Sequence, residues 1–204
     1  MSLQFKPKAA KADYGRIEDG TYPARVVQII DMGEQWSEDW KTGEKEYWDS
    51  GEPKVQSKCF IQFEFPTEMM EIDGVQRPRW QGKEFVVSNH EKAGMFKLMQ
   101  AAGVTGVAAL LGKAVLCSIG TTSGGKAKIT TIAGMMKGMT VPELANPAVL
   151  YDLDKPDASI FEKLPPFVKE KINNQYDPSD GVVHIDPKTN EPKVDDNFDE
   201  DIPF

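Results

Sequence analysis

No run of eighteen apolar residues occurs in the 204-residue chain, so no helix of it is expected to span a membrane. Histidine is scarce, at two residues. His90 and His184 lie far apart, with no cysteine or carboxylate at ligand spacing, which argues against zinc. Cysteine is equally scarce, at two. Cys59 and Cys117 each sit in an apolar stretch with strand character, so reduced, buried thiols are expected rather than a disulfide. Residues 1–12 carry Lys6, Lys8 and Lys11 but no apolar segment behind them, unlike a secretory signal. Asp152, Asp154 and Asp157 fall in a proline-containing stretch and read as solvated rather than as a metal cluster. No nucleophile and base are recognisably arranged. The expectation is a protein of the cytoplasm that is not an enzyme and needs no cofactor or metal.

What is present is enough for one core, with 40% hydrophobic residues. The net charge of −8 at first argues against nucleic acid. Its distribution does not. Residues 175–204 hold nine acids and two lysines, or −7, which leaves 22 basic and 23 acidic residues, or −1, for positions 1–174. A near-neutral body can still carry a basic face.

Along the chain, residues 1–18 read as a flexible, mildly basic arm. A strand is expected over 21–31, where Val26, Val27, Ile29 and Ile30 supply β-branched bulk. Residues 32–54 read as a long polar connection. The second strand, 55–65, alternates clearly: Val55, Cys59, Ile61, Phe63 and Phe65 share one face, and Gln56, Lys58, Phe60, Gln62 and Glu64 the other. Pro66 is expected to end it. Asp73-Gly74 signals a hairpin, and a third strand covers 79–88. A helix is expected over 90–102, stopped by Gly103, followed by strands over 113–120 and 126–132. This order, three strands, a helix and two strands, is that of the OB-fold, a partly open five-stranded barrel that binds oligonucleotides. Residues 133–160 read as irregular. Pro165-Pro166 then opens a short amphipathic helix that docks on the barrel. From Gln175 the composition is that of a disordered linker. The expected layout is an arm over 1–18, a mainly β domain over 19–174 and an acidic tail over 175–204.

Aromatic and basic residues interleave in three places. Trp36, Trp40, Tyr47 and Trp48 lie beside Lys41 and Lys45, in a segment too polar to be core. Rings exposed on a loop suggest a contact surface, and base stacking on them contributes about 1–3 kcal/mol per base. Lys58 and Phe60 repeat the pattern on the polar face of the second strand. Arg77, Arg79, Trp80 and Lys83 repeat it at the start of the third, where cations could follow phosphates while Trp80 stacks. Lys126 and Lys128 share a face of the fifth strand beside Gly124-Gly125. The spacing Gly120-x4-Gly125-Lys126 imitates a phosphate-binding loop. Ala127 stands where the Mg²⁺-binding hydroxyl belongs, and a strand follows instead of a helix, so a hairpin turn is expected.

The last residues are the most specific feature. Asp195, Asp196, Asp199, Glu200 and Asp201 lead into Ile202-Pro203-Phe204. A terminal Phe with its carboxylate suits a basic pocket, where the ring fills an apolar hole and Arg or Lys takes the charge. The acids add long-range attraction. The run Asp199-Glu200-Asp201-Ile202-Pro203-Phe204 resembles the tip of bacterial single-stranded-DNA-binding proteins. The body departs from the bacterial OB-fold sequence, and the chain looks more like a phage-encoded protein of the same class. The resemblance implies that an OB-fold body holds single-stranded DNA without sequence preference. It also implies that the tip docks replication, recombination and repair proteins, and that a phage protein would act in the host cytoplasm. As a tethered polyanion, the tail could also compete with DNA for the body. The other class of function is an interaction protein that binds no DNA and uses the tip to mimic the host peptide.

Overall fold

The computed structural model describes residues 16–178 except Trp40. The elements run β1 (Gly20–Trp36), β2 (Val55–Ile72), β3 (Val75–Val86), α1 (Gly94–Ala102), β4 (Ala114–Thr121), β5 (Ala127–Ala133), β6 (Val149–Tyr151), α2 (Ala158–Phe161) and α3 (Pro166–Asn173). The protein is mainly β. An antiparallel sheet runs in the order β3-β2-β1-β4-β5, and β6 adds in parallel to β1. No ladder joins β3 to β5 among the described residues, so the sheet is not closed. The two end strands still meet, because Lys83 Nζ on β3 donates to the Ile129 carbonyl on β5 at 3.1 Å.

β1 runs past Asp31 to Trp36 because it bends twice. Opposite β2, Val26 pairs with Phe63 and Gln28 with Gln62, leaving Val27 as an extra residue. Such a bulge flips the side-chain parity. Val26 and Ile29 therefore face one core, while Ile30 and Met32 face another. The second irregularity falls between Asp31 and Glu34. There Gly33 has φ +68°, and an added Cβ would lie 2.0 Å from the Gln175 side chain.

β2 continues through Pro66 to Ile72, against the expectation that Pro66 ends it. The proline sits in a break between the Phe65–Arg79 and Met69–Pro78 pairs, where no ladder bond needs its missing N–H. Asp73 and Gly74 both take positive φ, 52° and 76°, as a two-residue hairpin of the primed kind requires. β3 therefore starts at Val75, not Arg79. α1 starts at Gly94, since 90–93 form a turn in which Ala93 N–H meets the His90 carbonyl at 2.8 Å. It ends on Gly103 at φ 67°. The Gly120–Lys126 stretch is the β4–β5 turn, with Thr122 N–H on the Lys126 carbonyl at 2.8 Å.

One face of the sheet holds the main core: Val26, Ile29, Cys59, Ile61, Phe63, Phe65, Phe85, Val115, Cys117 and Ile129, closed by Met95 and Leu98 of α1. Both cysteines are free and buried, and burial pushes each thiol up to about 12. The arm ends earlier than position 18. Ile17 is buried in this core, and the Arg16 guanidinium donates to Thr121 Oγ1 at 2.9 Å.

The opposite face of β1–β2 is covered by residues 141–176, most of which read as irregular from sequence. The Arg25 guanidinium donates to the carbonyls of Pro142 at 2.7 Å and Val141 at 3.0 Å, and pairs with Glu143 at 2.9 Å. The carboxylate of the fully buried Glu64 accepts from Ala145 N–H at 2.7 Å, Asn146 Nδ2 at 2.6 Å and Trp80 Nε1 at 3.1 Å. β6 then pairs with Gln28–Ile30. Asp157 caps α2 by accepting from Ser159 N at 2.8 Å and Ile160 N at 3.3 Å. Hydrogen bonds from the Ser159 hydroxyl and then these amides hold the Asp157 carboxyl below its ordinary value. α3 docks as expected, burying Val168 and Ile172 at four-residue spacing beside Ile30, Met32, Phe60, Tyr151 and Leu164. The body also runs past 174, because Tyr176 N–H meets the Glu34 carbonyl at 2.7 Å.

Candidate functional site

The β1–β2 connection is a folded excursion rather than an open loop. Ser37 N–H meets the Lys54 carbonyl and Glu46 N–H the Ser37 carbonyl, both at 2.8 Å. Isolated bridges pair Glu38 with Lys45 and Tyr47 with Pro53. Two tight turns complete it. At the first, Asp39 Oδ1 accepts from Lys41 N at 2.8 Å and Thr42 N at 3.0 Å, and these backbone donors, Thr42 first, lower its carboxyl. At the second, Gly51 with φ 85° closes onto the Trp48 carbonyl. This frame presents Tyr47 and Trp48 at 58% and 56% exposure.

Trp36, at the end of β1, is half-buried and forms the hub. Tyr47 meets it edge-on at 5.6 Å between ring centres, Tyr176 at 5.2 Å, and Lys45 Nζ lies 4.3 Å from its centroid. Lys54 stands 5.4 Å from the Trp48 ring and pairs with Glu46 at 2.9 Å. Beside the hub lies a cavity of about 450 Å³ between the excursion, β2 and α3. Trp36, Lys45 and Lys58 line it from the first side, and Phe167, Lys171 and Asn174 from α3. Glu38 and Glu170 add negative charge.

The structure thus joins Trp36, Lys45 and Lys58 in one cavity and sets Tyr47 against its hub. Trp40 lies outside the described residues, as does the tip, Asp199, Glu200, Asp201, Ile202, Pro203 and Phe204. Lys41 is exposed on the first turn.

Phe60 departs from its expected role as a stacking platform. Its ring is 7% exposed, packed under α3 and edge-on to Phe167 at 5.2 Å. The alternation of β2 places Phe60 on the second face correctly, but that face is covered rather than solvated. The ring also lies over Gly82 of β3, where a Cβ would come within 2.1 Å of it.

On β3, Arg77 is exposed, Arg79 half-buried, and Trp80, 38% exposed, is held by Glu64. Lys83 points toward the gap between β3 and β5, where burial lowers its ammonium. Lys126 and Lys128 are exposed on the β4–β5 hairpin.

Phe167, Lys171 and Tyr176 were not singled out in the sequence. The signal for two of them was present. With Val168 and Ile172 facing the sheet, Phe167 and Lys171 share the adjacent helical stripe, four residues apart. Phe167 is 45% exposed, an uneconomical place for a ring with no contact. Tyr176 left no such signal.

Among the described residues, no three His, Cys, Asp or Glu side chains converge as metal ligands, and no helix is long and apolar enough to cross a membrane. No family model matches the chain, nor does any curated protein or solved structure.

Proposed function

We propose that this chain binds single-stranded DNA without sequence preference, in replication, recombination and repair, and that it does no catalysis. The observation that carries the reading is the Trp36 hub: Tyr47 and Trp48 exposed on a hydrogen-bonded frame, with Lys45 and Lys58 at the adjoining cavity. Rings give sequence-tolerant stacking, and lysines meet the backbone phosphates. The strand order supports it. A path β3-β2-β1-β4-β5, with β3 and β5 linked through Lys83, is the path of an OB barrel opened at one seam. In such a barrel the connection between the first two strands helps grip the nucleic acid. Arg77, Arg79, Trp80, Lys126 and Lys128 would extend the path over the two hairpins. The acidic tip, Asp199–Phe204, would recruit partner proteins, and the tail would compete with DNA for the body.

The test is a titration of labelled oligo(dT) and of duplex at two salt concentrations. The reading expects micromolar or tighter binding to the single strand, weakened by salt. No binding overturns it. A chain ending at Pro178 should bind oligo(dT) more tightly; unchanged affinity removes the competition idea alone. One observation favours the second reading, an interaction protein that does not bind DNA. The β2 face that would contact a strand in an OB-fold is covered by residues 141–173. Failure to bind oligo(dT), with partner capture still dependent on residues 199–204, would support it.

A further inference from the structure

We propose that the cavity between Trp36 and α3 is a subsite for one nucleotide of a single DNA strand. In it the base stacks on Phe167 while Lys58 and Lys45 meet the adjoining phosphates. The inference rests on the single-strand reading and extends it to the C-terminal helix.

The cavity, about 450 Å³, falls in the usual range of small-ligand sites, about 300–1,000 Å³. Phe167 is built as a platform. Pro165-Pro166 fixes the start of α3, Val168 and Ile172 anchor its underside, and Phe60 meets the ring at 87°. The support is therefore buried while nearly half the ring remains open, at 45% exposure. A base stacked on Phe167 covers that surface at little cost in side-chain order, because the ring is already held.

The cations divide by what they already do. Lys171 Nζ is committed to Glu84 at 2.6 Å, which ties α3 to β3. Among the described residues, the Lys58 side chain makes no ion pair, and Lys45 rests on the Trp36 ring at 4.3 Å. A phosphate beside the hub can draw Lys45 off the ring and leave Trp36 free for a second base. Glu38 and Glu170 at the same cavity oppose a long run of phosphates, which limits the site to a short segment. Asn174 supplies both a donor and an acceptor, so it can meet the edge of any base. That suits binding without sequence preference.

The experiment uses the full chain and oligo(dT) carrying a single 5-iododeoxyuridine, photo-crosslinked and mapped by mass spectrometry, together with affinities of three variants. Crosslinks are expected at Phe167 or Trp36. Phe167→Leu should lose about fivefold or more in affinity, the low end of the range for one stacked base. Phe167→Tyr should restore most of it. Lys58→Gln, which breaks no ion pair among the described residues, should reduce the salt slope by about 0.7. Thermal melts show whether α3 stays docked in Phe167→Leu, and Lys58→Gln decides the matter if it does not. Wild-type binding with no crosslink at the cavity and unchanged affinity and salt slope in Lys58→Gln overturns the subsite and leaves the single-strand reading standing. Competition by thymidine monophosphate as strong as by oligo(dT) assigns the cavity to a free nucleotide and overturns the strand proposal. No binding of oligo(dT) at all overturns both.

Discussion

The two faces of the β1–β2 sheet are buried by different means. The inner face is filled by Cys59, Ile61, Phe63 and Phe65 against β4, β5 and α1, with an almost wholly apolar lining. The outer face carries a small apolar patch, Ile30, Met32 and Phe60, and is roofed by chain from beyond β5. Polar groups hold that roof: Arg25 on three backbone or carboxylate oxygens of 141–143, and Glu64 on two donors of 145–146, with Trp80 of β3 as its third. The inner face is held by non-directional burial, which tolerates small shifts. The outer face is held by directional contacts at 141–146, while its apolar patch and the Lys171–Glu84 pair position α3 and hence Phe167 and the cavity. A core makes the fold; the roof makes the candidate site.

That contrast is open to direct attack. The largest effect is expected from Phe63→Ala, a fully buried ring on the inner face. It should cost about 3–5 kcal/mol and lower the urea midpoint of the whole body. A shift confined to α3 would contradict the assignment of the main core.

The inner face also carries a pH signature. Both thiols are pushed up to about 12 from 9.0. A raised folded value means that the stability these thiols contribute is fully present below pH 9.0. It is lost as pH rises through the interval to about 12, because the unfolded chain ionises first. The loss approaches about 1.4 kcal/mol per thiol for each pH unit. Urea midpoints between pH 8 and 10.5 should fall more steeply in the wild type than in Cys59→Ala/Cys117→Ala. Lys83 acts in the opposite sense and is coupled to Cys117, so Cys59→Ala alone isolates a thiol contribution.

Two smaller effects belong to the roof. Gly82→Ala drives a methyl into the Phe60 ring, at about 1–3 kcal/mol. Amide exchange should quicken in α3 while the inner strands stay protected. Glu64→Gln presents an amide N–H to Asn146 Nδ2 or Trp80 Nε1, both donors, and should also cost about 1–3 kcal/mol. Its mark is faster exchange at Ala145 and a change in Trp80 fluorescence. If both variants unfold the body as a unit, the roof is not a separable layer.

The inner face was legible because it is local. Alternation from Cys59 to Phe65 marks a half-buried strand, and Asp73-Gly74 fixes a turn that needs two positive φ angles. The bulge at Val27 had a trace in the doublets Val26-Val27 and Ile29-Ile30, which fit no strict period of two. The roof was not legible. Glu64 reads as a solvent-facing residue until Ala145, Asn146 and Trp80 supply its donors, and Phe60 reads as a free ring until α3 covers it. Trp36, Tyr47, Lys45 and Lys58 were visible as candidates by composition; their convergence with Phe167 was not.

The sequence by itself determined the first five strands, the hairpin turns, the apolar inner face, the amphipathic stripe of α3 and the concentration of acid after Gln175. Periodicity and turn chemistry act over a few residues, and charge is a matter of counting. Only the tertiary structure decided which face of β2 stays open, that residues 141–173 lie across the other, and that Phe167 rather than Phe60 offers its ring beside Trp36. Those outcomes depend on contacts between segments far apart in the chain. No local pattern specifies the partner of a buried carboxylate or of a ring on a polar face.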